Sequence, residues 1–236
     1  MSIRLLFIVS GLLFNLCGTA FAQTNEPATT RWYEVEVVVF RQNLMDGIKA
    51  EHWTPNWTTP DLKNAVDLDN ITGNKRDLIR KVSAGRKLGG VAARLNKSGR
   101  YVVLNHSAWQ QKGLSKDQTF PIMINGGGVR NGNYFNAATS NNGNGQEPIK
   151  TAELLGTVTV VLSRYLHVYT NFLLTEAVNI QQINSQTGSQ MLSIEPAAQS
   201  TTLFGFNNQQ HRRMRSSEIH HIDHPLIGVT IIITPL

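Results

Sequence analysis

From residue 154 onward the chain is a run of segments that alternate in character at every second position, joined by short links. This pattern constrains the fold more than any other feature. In LLGTVTVVLSRYL (residues 154–166), Leu155, Thr157, Thr159, Val161 and Ser163 fall opposite Leu154, Val158, Val160, Leu162 and Arg164. A period of two is the signature of a β-strand. Residues 167–178 continue as a second strand, with 172–177 as its apolar part. Residues 201–206, 212–222 and 226–234 supply further candidates, and 180–196 is only weakly patterned. Parallel strands need long crossovers, and no βαβ rhythm is present, so the sheet is expected to be antiparallel. Asp223-His224-Pro225 is a tight-turn signal, predicting a hairpin that ends in the buried strand IGVTIII.

The N-terminal half adds a strand and a helix. In WYEVEVVVF (residues 32–40), Tyr33, Val35, Val37 and Val39 share one face and Glu34 and Glu36 lie on the other, predicting a strand with one buried face. Residues 41–73 are irregular and hold Trp53, Pro55, Trp57 and Pro60. Apolar residues at three- and four-residue steps (Leu78, Ile79, Val82, Leu88, Val91, Ala92, Leu95) predict a helix over 74–96, weakened near Gly85, Gly89 and Gly90. YVVLNHSAWQ (101–110) is a further strand and 120–124 a short one. Residues 125–148 contain six Gly and seven Asn, a composition that cannot build a core, so they read as a flexible loop. The expected class is α+β: a mainly antiparallel sheet with one helical unit packed on it, in a single domain spanning residues 23–236.

Residues 1–22 read as a secretory signal peptide: Arg4, an apolar stretch over 5–16, and Ala20-Phe21-Ala22 ahead of Gln23. The stretch is shorter than a membrane span requires. A lipidated Cys17 is the alternative, but Leu16 stands where a lipobox wants a small residue. Cys17 is the chain's one cysteine, so cleavage after Ala22 leaves none, as suits an oxidising compartment. The net charge of the whole chain is +6; Arg4 contributes one, leaving +5 on the exported form. That charge is modest and an exported protein does not ordinarily meet nucleic acid, so none is expected as a partner.

The densest polar stretch is HRRMRSSEIHHIDH (211–224). Arg212, Arg213 and Arg215 form a basic group of the kind that pairs bidentately with carboxylates and phosphates. The structural alternative is that they pair with Glu34, Glu36 and Glu218. His220 and His224, with Asp223 or Glu218, are ligand types suited to zinc, but on one strand the two histidines stand roughly 13 Å apart, so no metal is assigned. Trp53, Trp57 and Trp109 offer flat faces for sugars or, on the stronger reading, plug the ends of the core. Catalytic signatures are missing from the sequence: it has no G-x-S-x-G elbow, no HExxH and no P-loop, and Gly126–Gly128 has no following Lys-Ser/Thr. No enzymatic activity and no cofactor are expected.

WYEVEVVVF, GRYVVLNHSAW, LLGTVTVVLSRYLHV and above all RRMRSSEIHHIDHPLIGV together resemble the CsiV family of exported Gram-negative proteins described as peptidoglycan-binding. His221 departs from the family pattern, where an aromatic is expected, and the Gly/Asn segment is longer than the family needs. The resemblance implies a non-catalytic periplasmic protein whose partners are peptidoglycan and the lipoprotein activator of a class A penicillin-binding protein. Arg212, Arg213 and Arg215, oriented by His220 and Asp223, are the first candidate ligand-binding residues. Arg164, Tyr165 and His167 are the second. The alternative role is an envelope adaptor that binds protein without touching glycan.

Overall fold

The computed structural model describes residues 31–42, 48, 53, 57–135, 147–184, 190–197 and 202–236. The expected signal peptide lies outside these residues, as does the 136–146 part of the Gly/Asn segment. The first sheet is built from β1 (Trp32–Gln42), β2 (Ile79–Val82), β3 (Tyr101–Lys112), β9 (Ile219–Ile222) and β10 (Ile227–Pro235), in the order β2-β3-β1-β10-β9, with every pair antiparallel. The second holds β4 (Ile122–Tyr134), β5 (Ile149–Leu162), β6 (Leu166–Asn184), β7 (Gln190–Pro196) and β8 (Thr202–Met214). There β6 lies antiparallel to β5 and β8 and, at its far end, to β7. β4 is antiparallel to β5, and its last two residues meet the start of β8 in parallel. The two sheets share one apolar core, in which Val35, Val37 and Val39 of β1 join Val158 and Val160 of β5, Val168 and Phe172 of β6, and Phe206 of β8.

The α+β expectation is corrected toward β. The α-helix that packs on the first sheet is short, α1 (Gly89–Lys97), and Gly73–Asp77 is a 3-10 turn. The helix expected over 74–96 is therefore mostly something else. Ile79 pairs with Gln111 and Val82 with Ala108, so its apolar periodicity belongs partly to the edge strand β2. The three glycines that weakened the prediction lie in and just after the loop preceding α1.

A second correction concerns 125–148. Residues 125–134 form part of β4, not a loop, and the glycines have local reasons. A Cβ at Gly126 would stand 2.0 Å from the Leu104 carbonyl oxygen of β3. Gly127 has φ +73°, a left-handed conformation that disfavours other residues. The strand is bulged there, with pairing to β5 shifted between Gly126 and Val129. β8 is likewise one strand from Thr202 to Met214, with the break at 215–218 instead of after 206. The Asp-His-Pro turn forms as predicted, and β9 pairs antiparallel with β10.

The strand WYEVEVVVF buries both faces. Glu34 and Glu36 are only 2% and 1% exposed. Glu36 is held by the loop leading into α1: its carboxylate accepts the backbone N–H groups of Gly85 (2.7 Å), Lys87 (2.9 Å) and Leu88 (3.1 Å), and it lies 2.7 Å from His106 Nε2. Arg86 Nη1 and Gln110 Nε2 donate to Glu34 Oε2 at 2.8 and 3.0 Å. Around this anchor Val38, Phe40 and Ile232 pack against Leu88 and Ala92 in a second, smaller core. The outer face of the first sheet is thus covered by the α1 unit over β1, while Ile219 on the edge strand β9 stays 55% exposed.

Candidate ligand-binding surface

The second sheet carries no such cover over much of its outer face. Leu166, Val168 and Phe172 of β6 point into the core, so His167, Tyr169 and Asn171 point outward. Register places Arg213, His211 and Gln209 of β8 directly opposite those three, and Thr159 and Thr157 of β5 opposite Tyr169 and Asn171. The rings form a stack across the strands. Tyr169 and His211 are 4.4 Å apart between centroids at 15°, and His211 and His167 5.2 Å apart at 12°. A 2.9 Å hydrogen bond joins His167 Nδ1 and His211 Nε2. Tyr169 nevertheless stays 37% exposed. At the other end of this face Trp57 lies over Gly205.

At the end of the sandwich, the turn between β5 and β6 meets the turn between β8 and β9. A groove of about 460 Å³ opens there, lined by Arg31, Arg164, Tyr165, Arg215, Ser216 and Glu218 among others. Tyr165, 44% exposed, is flanked by two guanidiniums, Arg213 at 4.7 Å and Arg164 at 5.6 Å from its ring centroid. Such cation–π contacts hold an arginine over a ring while leaving its N–H donors free to turn to a ligand. Arg215 sits 3.7 Å from Glu218, in an exposed pair that costs little to open. The groove therefore offers several cations and one carboxylate to solvent.

The sequence candidates divide accordingly. Arg164, Tyr165 and Arg215 line the groove, Arg213 stands over Tyr165, and His167 belongs to the adjoining ring stack. Arg212 pairs with Val168 and so lies on the opposite face of β8 from Arg213; the three arginines are not one compact patch. His220 acts on backbone: its Nε2 accepts the Arg215 N–H at 3.3 Å. Asp223 Oδ1 accepts from Gln42 Nε2 at 3.2 Å and from the His224 N–H at 3.1 Å, with His221 Nε2 at 3.8 Å, which is a turn-fixing role with no contact to the arginines. Of the proposed arginine–glutamate pairs only Arg215–Glu218 forms. Arg164 is exposed at a turn and not buried on a strand face. Trp109 is fully buried, Trp53 is partly buried against the core, and Trp57 covers Gly205 while its ring meets Phe204, so these tryptophans serve packing. No three metal-ligating side chains gather among the described residues. Tyr169, Gln209 and Arg31 escaped sequence reasoning, and His211 was given no role within the polar stretch 211–224; cross-strand register, which brings residues 44 apart into contact, is what assembles the row of Tyr169, His211 and Gln209.

A buried ionic cluster elsewhere was also missed. Arg130 Nη2 lies 2.9 Å from both Glu153 Oε2 and Glu176 Oε2, Arg41 Nε donates to Glu153 Oε1 at 2.8 Å, and the Gly128 N–H donates to Glu153 Oε2 at 2.8 Å. Burial pushes the Glu176 carboxyl up to about 7 against the pull of Arg130, and the neighbouring Glu153 charge pushes it the same way. Glu36 behaves oppositely. Burial raises it, but the hydrogen bonds from His106 and from the N–H groups of Lys87, Gly85 and Leu88 prevail and hold it below its usual value.

The family model described as "Peptidoglycan-binding protein, CsiV" matches residues 8–236, nearly the whole chain. The chain belongs to the CsiV family, and that membership implies peptidoglycan binding. No curated protein matches it, and no solved structure does. No helix among the described residues is long and apolar enough to cross a membrane.

Proposed function

We propose that this protein is exported through its N-terminal signal peptide, cleaved after Ala22, and binds peptidoglycan in the periplasm without catalysis. In this reading residues 23–236 act as one domain, and wall binding supports a class A penicillin-binding protein through its lipoprotein activator. The observation that carries the reading is the groove that gathers Arg31, Arg164 and Arg215 beside the Arg213–Tyr165 pair. Stem peptides of the wall carry carboxylates, and guanidiniums presented over a ring and around a groove match them in charge and geometry. Family membership supports the ligand class.

The test is sedimentation of the purified exported form with washed sacculi at low and high salt. Wild type is expected to pellet at low salt and to be partly released at high salt, because exposed charge pairs are screened. Protein that stays in the supernatant at low salt contradicts direct binding and leaves the adaptor role.

A further inference from the structure

Beside the arginine groove, and on the same face as Arg213, lies a depression of about 300 Å³ lined by Thr157, Thr159, Tyr169, Asn171, Gln209 and His211 among others. Its chemistry differs from the groove's. The groove is lined by guanidiniums and a carboxylate, whereas this lining has no Lys, Arg, Asp or Glu. It presents hydroxyls, the side-chain amides of Asn171, Gln209 and Gln210, which both donate and accept, and an aromatic ring. His211 stacks on one side of Tyr169, so a ligand in the depression meets the ring's remaining surface and phenol oxygen. The side chains project from three paired strands with their positions fixed by register, and the ring stack and the 2.9 Å His167–His211 hydrogen bond hold the imidazoles. A surface of this kind has nothing to offer an anion that the neighbouring groove does not offer better. It suits a neutral, hydroxyl-rich ligand whose apolar ring face lies on an aromatic and whose edge hydroxyls meet amides.

We infer that the depression centred on Tyr169 is a sugar subsite, taking the glycan backbone of the wall while the groove beside it takes the peptide carboxylates. The inference rests on the peptidoglycan reading and adds to it which part of the polymer lies where. Contact would run from Gln209 and Asn171, past the Tyr169–His211 stack, to Tyr165 and Arg213.

The probes are intact sacculi, peptide-free glycan strands released by amidase digestion and amidated at the lactyl carboxylates that cleavage exposes, and soluble stem peptide. Each is tested against wild type, Tyr169→Ala/His211→Ala, Asn171→Ala/Gln209→Ala and Arg164→Ala/Arg215→Ala. Wild type is expected to bind peptide-free strands. The Tyr169/His211 variant should lose about tenfold in that affinity while keeping stem-peptide binding. The Arg164/Arg215 variant should show the reverse. The Asn171/Gln209 variant leaves the ring stack in place and should lose about threefold for strands, so the test does not hang on one variant's folding. Wild type that pellets with sacculi but ignores peptide-free strands overturns the sugar subsite and leaves wall binding standing. Strand binding unchanged in both depression variants does the same. Failure of wild type to pellet with sacculi removes the wall-binding reading itself, and the subsite with it.

Discussion

The two sheets share a core but treat their outer faces in opposite ways. On the first sheet the outward row of β1, Glu34-x-Glu36-x-Val38-x-Phe40, is sealed under α1 and its preceding loop, with Phe40 packed edge-on to Tyr101 at 5.3 Å and stacked with His221 at 5.8 Å. On the second, the outward rows of β6 and β8 carry His167, Tyr169, Asn171, Gln209, His211 and Arg213 into solvent. Polarity alone would have assigned these faces the other way round, since two glutamates sit in the sealed face and aromatic rings in the open one. A carboxylate can be buried when a loop delivers backbone N–H groups to it, because the hydrogen bonds offset the desolvation. Rings can face water when they stack on one another. The sealed face holds the fold together, and the open face is free to bind.

The largest expected effect breaks the sealed face. Glu36→Ala orphans three N–H groups and His106 and should cost about 4 kcal/mol, lowering Tm by roughly 10 °C or more in a thermal melt. Since the Glu36 carboxyl is held below its usual 4.5, its contribution is present above that value and is lost as pH falls through the lowered folded value.

The buried cluster should show the opposite slope. Glu176 rises from 4.5 to about 7, so the folded state holds its proton more tightly than the unfolded chain does. The stability it supports is complete below about pH 4.5 and lost as pH climbs to about 7. Glu176→Gln should therefore gain on wild type by up to roughly 3 kcal/mol above pH 7, with the gap closing by pH 4.5, in paired denaturant titrations. A gap independent of pH would remove titration of Glu176 from the explanation.

The smallest effect on stability belongs to the open face. Tyr169→Ala/His211→Ala should change unfolding free energy by no more than about 1 kcal/mol, the value of an exposed ring contact. A loss as large as that of Glu36→Ala would mean that the ring stack is part of the framework.

How much of this was legible in the sequence follows from the range of each interaction. The inward row Tyr33, Val35, Val37, Val39 and the Asp-His-Pro hairpin follow from local alternation and turn chemistry, and both form. The helix expected over 74–96 forms only from Gly89 onward, because three- and four-residue spacing in a Gly-containing stretch fits a short edge strand followed by a loop equally well. Residues 125–134 looked like a loop because their glycines suit flexibility; in the fold they admit Leu104 and Glu153, partners no local pattern reveals. For the site, Arg164, Tyr165 and Arg215 were found as residue types, but Arg212 was grouped with Arg213 although adjacent strand residues face opposite ways. Tyr169 and His211 gain meaning only once β6 and β8 are in register.

The most direct measurement compares two charge deletions of equal size in sacculus sedimentation. One is Arg164→Ala/Arg213→Ala/Arg215→Ala, at the open end of the second sheet. The other is Lys87→Ala/Arg94→Ala/Lys97→Ala, on the exposed side of the α1 unit that seals the first. Both variants should melt close to wild type. If the open face and its groove bind the wall, the first variant stays in the supernatant and the second pellets like wild type. Equal loss in both would mean that net positive charge, and not this surface, holds the protein to the wall.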